Sequence, residues 1–346
     1  MAMDGRTGIS LRLHGGIDAD ACVALAKSAD ESGLAGIWFA ENAFARGILP
    51  AASACAAATR RLQINAGVFN PFSRHPTMMA MEIGALDELS RGRAALVIGA
   101  GLIAASAKIG LAVDKPLAAL RDTLAIVRGL LAGEEVDHVG RSFSARKVKL
   151  DFTPRAGIPI YLAGRGELTI KLAGEAADGI VISNMCSPEF ARHTAERLHA
   201  SHRAAGRTGT MKVVQYLPCA VAEDRGVAVN RAKAAIGKML PAFWSLGQTL
   251  KSAREGLVAG TGIAAAEFAA AAMRLVAGED PVDVLDERYV DAFCIAGTAA
   301  ECAAAVRRHA AAGVTELALT LDAATFRDDI PTLAEALVAN NRPAGN

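Results

Sequence analysis

Two short glycine turns are the places where this sequence could do chemistry. Gly99-Ala100-Gly101 closes the apolar run "AALVI", and Gly164-Arg165-Gly166 follows "PIYLA" and opens into a helical pattern. Glycines between a strand and a helix N-terminus let backbone amides come close to an anion. Arg165 adds a guanidinium able to grip a phosphate through two parallel hydrogen bonds. Ala100, Gly101, Ala163, Gly164, Arg165 and Gly166 are therefore expected to hold the anionic part of a phosphorylated cofactor. The plainer reading of each glycine is a turn that needs positive φ. Acids are scarcer. Glu41, in "GLAGIWFAEN", is the acid that falls at a strand end, and no lysine falls at one. A lyase or isomerase working through a Schiff base or paired acids therefore lacks its groups.

The elements that must position these groups are legible as alternating patterns. Strand-like runs lie at Gly8–Leu13, Gly36–Ala40, Gln63–Phe69, Ala94–Gly99, Ile158–Ala163, Gly179–Ser183, Met211–Val221 and Thr315–Leu321. Amphipathic stretches such as Asp18–Ser32, Pro116–Leu131 and Pro188–Ala205 separate them. Strands alternating with helices imply parallel βα units with right-handed crossovers. Eight of them imply an α/β fold, a (β/α)8 TIM barrel, held as one domain over residues 1–346. Two insertions account for the extra length. Residues 133–157 read as hairpin-like after helix 4, and residues 241–297 as helical after strand 7.

The barrel gives the stretch "NPFSRHPTMMAMEIGALDELSRGRAALVIGAG", residues 70–101, a direction. Asn70 follows a strand and belongs to the C-terminal face, where barrel enzymes carry their chemistry. Met79, Ile83, Leu86 and Leu89 form the expected core stripe of the next helix. That helix descends about 21 Å and takes Ser90-Arg91-Gly92-Arg93 to the opposite face. There Asp87 and Glu88 are expected to pair with Arg91 and Arg93. Arg74 and His75 read as anchors at the rim.

Composition narrows the partners. Lys plus Arg (37) nearly balances Asp plus Glu (36), without long basic runs, which argues against nucleic acid and membrane surfaces. The six cysteines are scattered and the seven histidines show no ligand spacing, so no metal site is expected. No signal-peptide pattern opens the chain, and charges interrupt its apolar stretches. A cytoplasmic protein acting on a small molecule is expected. Small residues at 51–58 and Met78, Met79 and Met81 suit helix packing between subunits, hence a homodimer or larger homo-oligomer.

Four stretches together, "GLAGIWFAEN", "AAATRRLQINAGVFNPFSRHP", "LDELSRGRAALVIGAG" and "PIYLAGRGELTIKLAGEAADG", resemble the luciferase-like flavin- and deazaflavin-dependent oxidoreductases. With "DAFCIAGTAAECAAAVRRHAAAGVTEL", the resemblance covers most of the chain and is greatest to the methylenetetrahydromethanopterin reductases. It implies coenzyme F420 or FMN lying across the barrel mouth and hydride transfer to or from a small organic substrate. It also implies a strand-3 bulge, often a non-proline cis peptide, at Gly67–Val68, on which the cofactor ring rests. Three positions depart from the reductases. Ser10 stands where they carry an acid, Leu102 where they carry a second, and Arg165 where they have glutamine. Ser10 and Glu41 are thus the catalytic candidates. An FMN-dependent monooxygenase and a cofactor-binding relative without catalysis are the alternatives.

Overall fold

A computed structural model describes residues 7–101, 103–322 and 325–338. Eight parallel strands close into a barrel, β1 (Gly8–His14), β2 (Gly36–Ala40), β3 (Gln63–Phe69), β4 (Ala94–Ile98), β7 (Ile160–Ala163), β8 (Gly179–Ile182), β9 (Lys212–Val221) and β11 (Glu316–Thr320). They follow one another in that order around the ring, and β11 returns to β1. This is the expected (β/α)8 barrel. β2, β4 and β8 are buried along their whole length, as parallel strands covered on both faces must be. Ile9, Leu11, Leu13, Ile37 and Phe39 face the surrounding helices. Trp38, Val97, Tyr161, Val214 and Tyr216 fill the interior. The Trp38 ring lies 5.5 Å from Tyr161 and 6.2 Å from Tyr216, centroid to centroid, so an aromatic layer plugs the barrel.

Local chemistry sets the helix starts. Asp18 caps α1 (Ala19–Glu31) by accepting the Ala21 amide at 2.8 Å. His75 caps α3 (Pro76–Ser90), and Ser187 caps α7 (Pro188–Ala204), each with proline in the first turn. Thr298 and Glu301 form a capping box on α13 (Ala299–Ala311). In α3, Met79, Ile83 and Leu86 are buried as expected, but Leu89 is 45% exposed. Two successive steps of three residues turn the stripe by about 120° against a 3.6-residue period, and Ser90 is buried in its place.

The far face also corrects an expected pairing. Asp87 pairs with Arg155, at 2.8 and 3.1 Å, and accepts the Ala94 amide. Arg93 instead donates to the carbonyls of Ala56, Thr59, Leu62 and Ser90. Arg91 closes α3 in a left-handed conformation, so its backbone geometry, rather than its charge, is what the turn uses. Glu88 has no ion pair among the described residues.

Both insertions take the expected form. The hairpin β5 (Val136–Val139) with β6 (Ser144–Val148) follows α5 (Pro116–Leu131). Asp122 clamps it, accepting the amides of Ser142 and Phe143 at 2.7 and 3.1 Å and contacting His138. After β9, α8 (Arg225–Thr249) continues past Pro241, so the helical addition does not begin there. It continues through α9 (Lys251–Val258), α10 (Ala265–Val276), α11 (Pro281–Val284) and α12 (Glu287–Phe293) around Phe268 and Phe293. The short strand β10 (Ile295–Gly297) then pairs with the end of β9. Among the described residues no helix is long and apolar enough to cross a membrane.

Candidate active site

The C-terminal ends of all eight barrel strands, with α8 and α9 along one side, enclose a cavity of about 1460 Å³. Its middle wall is the end of β3. The β3–β4 register slips between Ala66 and Phe69, and the Gly67–Val68 peptide there is cis, as the resemblance implied. Gly67 has φ +148°, and a Cβ on it would meet the Val97 carbonyl oxygen at 2.2 Å, so only glycine fits. The Glu41 amide donates to the Gly67 carbonyl at 3.0 Å and ties the bulge to the end of β2. Val68 lies on the cavity and fills the space that a side chain at Gly99 would need. Asn70 accepts the Phe72 amide at 3.0 Å and donates to Ser106 at 3.2 Å.

The glycines of the two turns serve mostly their own packing. A Cβ on Gly101 would lie 2.5 Å from the Asn70 side chain, and one on Gly164 would lie 2.6 Å from Thr169. Gly101 also has φ +72°. Gly166 alone among them stands in open space, capping α6 (Glu167–Ala176) without a side-chain bond. Arg165 neither points to solvent nor pairs with the neighbouring Glu167. Glu167 is occupied by His193 and Arg197. The guanidinium instead turns inward, with Nε and Nη2 donating to Ser183 Oγ at 2.9 and 2.6 Å and Nη2 to the Asn184 carbonyl. It lies over the Phe243 ring at 4.7 Å, and its Nη1 is buried without an acceptor.

Of the two catalytic candidates, one borders the cavity. Glu41 does so, held by Arg74 at 3.1 and 3.3 Å. The same Arg74 holds Glu82 at 3.0 Å and lies 4.1 Å above the Phe69 ring. Burial pushes the Glu82 carboxyl above its usual range, against the pull of Arg74. Ser10 does not border the cavity. It is fully buried and donates to Glu316 Oε1 at 2.6 Å. Trp38 donates to the same oxygen at 2.5 Å, and Lys212 pairs with the other. An acid therefore does stand beside Ser10, delivered by β11, but it is neutralised below the cavity. Leu102 lies outside the described residues.

Sequence reasoning missed Arg12 and Tyr216, which floor the cavity. Arg12 Nη1 donates to Thr320 Oγ1 at 3.3 Å, and its guanidinium lies 5.0 Å over the Tyr216 ring. Arg12 Nε and the Tyr216 hydroxyl are buried with no partner. Burial pulls the Arg12 pKa down and pushes that of Tyr216 up. The signal was present in "GISLRLH": Ile9, Leu11 and Leu13 alternate with Ser10, Arg12 and His14, and strand geometry puts those two sets on opposite faces.

The cavity lining carries Arg12, Arg46, Arg74, Arg165, Arg231 and Lys238 against Glu41 and Asp322, and with Glu82 and Asp329 behind Arg74 and Arg231 two cations are left in excess. Such a surplus of cations, with an orphaned guanidinium nitrogen on the β7 loop and a bulged shelf on β3, fits a flat ring with an anionic tail. Among the described residues no cluster of His, Cys, Asp and Glu could hold a metal.

Residues 6–316 match the family described as luciferase-like monooxygenase. The chain is 33% identical over 208 residues to the 5,10-methylenetetrahydromethanopterin reductase of Archaeoglobus fulgidus, covering 60% of this chain and 62% of that one. The chain thus spans less than two thirds of that relative's length. With the same-named reductase of Methanolobus tindarius it shares 28% identity over 297 residues, 84% of this chain and 87% of the other. The solved coenzyme F420 dependent tetrahydromethanopterin reductase from Methanopyrus kandleri superposes with a TM-score of 0.85 at 20% identity. That likeness covers 97% of this chain and 100% of the other, and it concerns the fold.

Proposed function

The chain belongs to the luciferase-like monooxygenase family, and from that premise we propose that it is an oxidoreductase using coenzyme F420, or FMN in its place, on a small organic substrate. The observation that carries this reading is the bulged end of β3, which sets Val68 on the cavity wall. In this proposal the ring rests on Gly67 and Val68, with Asn70, Ala100 and Gly101 on one side. The tail runs toward Ala163, Gly164, Arg165 and Gly166, where the buried Nη1 of Arg165 waits for an oxyanion. A cofactor bound there would supply hydride chemistry to the substrate. The protein's part is to position both and to exclude water, with α8 and α9 closing one side.

The surplus of cations favours F420, whose tail carries acidic residues beyond its phosphate, over FMN with its single phosphate. A second reading, a relative that binds cofactor without turning over, draws on one observation. Ser10 is out of reach of the cavity, and Glu41 is held by Arg74. Titrating F420 and FMN into the purified protein, followed by absorbance and fluorescence, tests the first reading. Saturable F420 binding supports it, and failure of both to bind refutes it. Bound cofactor with no hydride transfer to any tetrahydropterin, alcohol or aldehyde tried would favour the second.

A further inference from the structure

Each of the other arginines on the cavity holds a carboxylate or a backbone carbonyl. Arg74 has Glu41 and Glu82, and Arg231 has Asp329. Arg46 donates to the Gly15 carbonyl at 3.3 Å, and Arg165 has Ser183 and Asn184. Arg12 is the exception, because neither a carboxylate nor a carbonyl among the described residues accepts from it. Its sole protein acceptor is a hydroxyl at 3.3 Å, its Nε has none, and the Tyr216 hydroxyl beneath it is also unsatisfied. A guanidinium partly removed from water without a counter-charge is costly, and leucine would fill an inward barrel position without that cost. An unpaired, half-buried cation on a cavity floor is thus a group waiting for an anion.

Position decides which anion. Around the ring β1 and β7 are diametrically opposed, with β3 midway between them. A cofactor with its tail at Arg165 on β7's loop and its ring at the β3 bulge leaves Arg12 on the substrate's side. We infer that Arg12, with Tyr216 and Thr320, forms a carboxylate-binding subsite, so that the substrate is a small organic acid gripped by its carboxylate. This rests on the cofactor placement proposed above. The planar fork of arginine suits a carboxylate's two oxygens, and the Tyr216 hydroxyl adds a donor from below.

The test uses the full chain without added cofactor, with benzoate as probe and benzamide as its neutral isostere, in wild type, Arg12→Leu and Arg12→Lys. Calorimetry is expected to show benzoate binding to wild type about tenfold or more tighter than benzamide. Arg12→Leu should lose that preference and Arg12→Lys should keep part of it. The melting temperature of unliganded Arg12→Leu should equal or exceed wild type, since it removes an unpaired charge, and F420 affinity should change less than about twofold. Equal benzoate binding by wild type and Arg12→Leu would overturn the subsite. So would failure of acetate, benzoate and glutarate alike to bind wild type. Loss of F420 affinity in Arg12→Leu with benzoate unaffected would reassign Arg12 to the cofactor. Benzoate binding with neither F420 nor FMN binding would leave the subsite standing and refute the cofactor reading instead.

Discussion

Replacing Arg165 by alanine separates an anion-binding role from a strut in the rim. Three of its nitrogen contacts go to Ser183 and Asn184, so part of the side chain holds the β7 and β8 loops together. Its packing over Phe243 at 4.7 Å contributes about 0.5–1 kcal/mol, and each lost hydrogen bond roughly 1 kcal/mol. Arg165→Ala should therefore lower stability by roughly 3–4 kcal/mol. The unpartnered Nη1 accounts for a separate effect. A charge-assisted bond from it to a phosphate oxygen is worth about 1.5–3 kcal/mol, a loss of roughly 10- to 150-fold in cofactor affinity. Phe243→Leu provides the control, since it removes the ring and keeps the charge. It should lower the melting temperature while changing F420 affinity less than about threefold. Affinities come from quenching of deazaflavin fluorescence, and stabilities from urea melts of the same preparations. If Arg165→Ala lost stability but bound F420 and FMN as wild type does, the guanidinium would be a strut alone, and the anion argument would fail.

Three further outcomes follow from geometry. Gly67→Val should cost about 1–3 kcal/mol by overpacking against Val97, 2.2 Å from the new Cβ, and should abolish measurable F420 binding; unchanged affinity would remove the shelf from the site. His309 is buried, donates Nδ1–H to Gln215 at 2.9 Å, and has its pKa pulled down to about 4 by burial and then by Arg308. With a folded pKa below the unfolded one, its contribution is full above about pH 6.5 and falls by roughly 3 kcal/mol as pH drops toward 4; melts of wild type and His309→Gln across that window should show a shallower fall in the variant. Met78 and Met81 are 45% and 46% exposed on α3 while Met79 is buried, so an intersubunit role is proposed for the first two. Light scattering should give a dimer that Met78→Glu plus Met81→Glu dissociates, and a wild-type monomer at micromolar concentration would exclude it.

How far the sequence could be read depended on the range of the interaction. β2 and β3 and helix α5 have the bounds that their residue patterns imply, because burial of short apolar runs and the Pro116 start are local facts. The Gly67–Val68 bulge was legible through resemblance, and its steric reason, the Val97 carbonyl on the next strand, was not. Asp87 was placed on the correct face but given the wrong partner, since Arg155 lies 68 residues away and Arg93 is spent on carbonyls. Arg165 was legible as a site residue, but Phe243 comes from the addition after β9 and no local pattern announces it. Arg12 was passed over although strand alternation already placed it inside the barrel.

The two charged layers of the barrel interior obey different rules, and the contrast separates fold from chemistry. In the lower layer Glu316 has Lys212 on one oxygen and Ser10 and Trp38 on the other. A buried acid so fully satisfied gives a fixed, neutral plug and leaves little for a substrate to use. One layer up, Arg12 and Tyr216 meet the cavity with donors unspent. The acid expected on β1 is thus replaced by a serine serving an acid from β11, and the charge facing the cavity from β1 is a cation. A pocket that stabilises its ligand through cations selects for negative charge on the ligand. If this chain reduces or oxidises a substrate, its selectivity should follow the substrate's charge before its shape. Neutral and anionic analogues of equal size should therefore differ in kcat/KM by more than anionic analogues of different size differ among themselves.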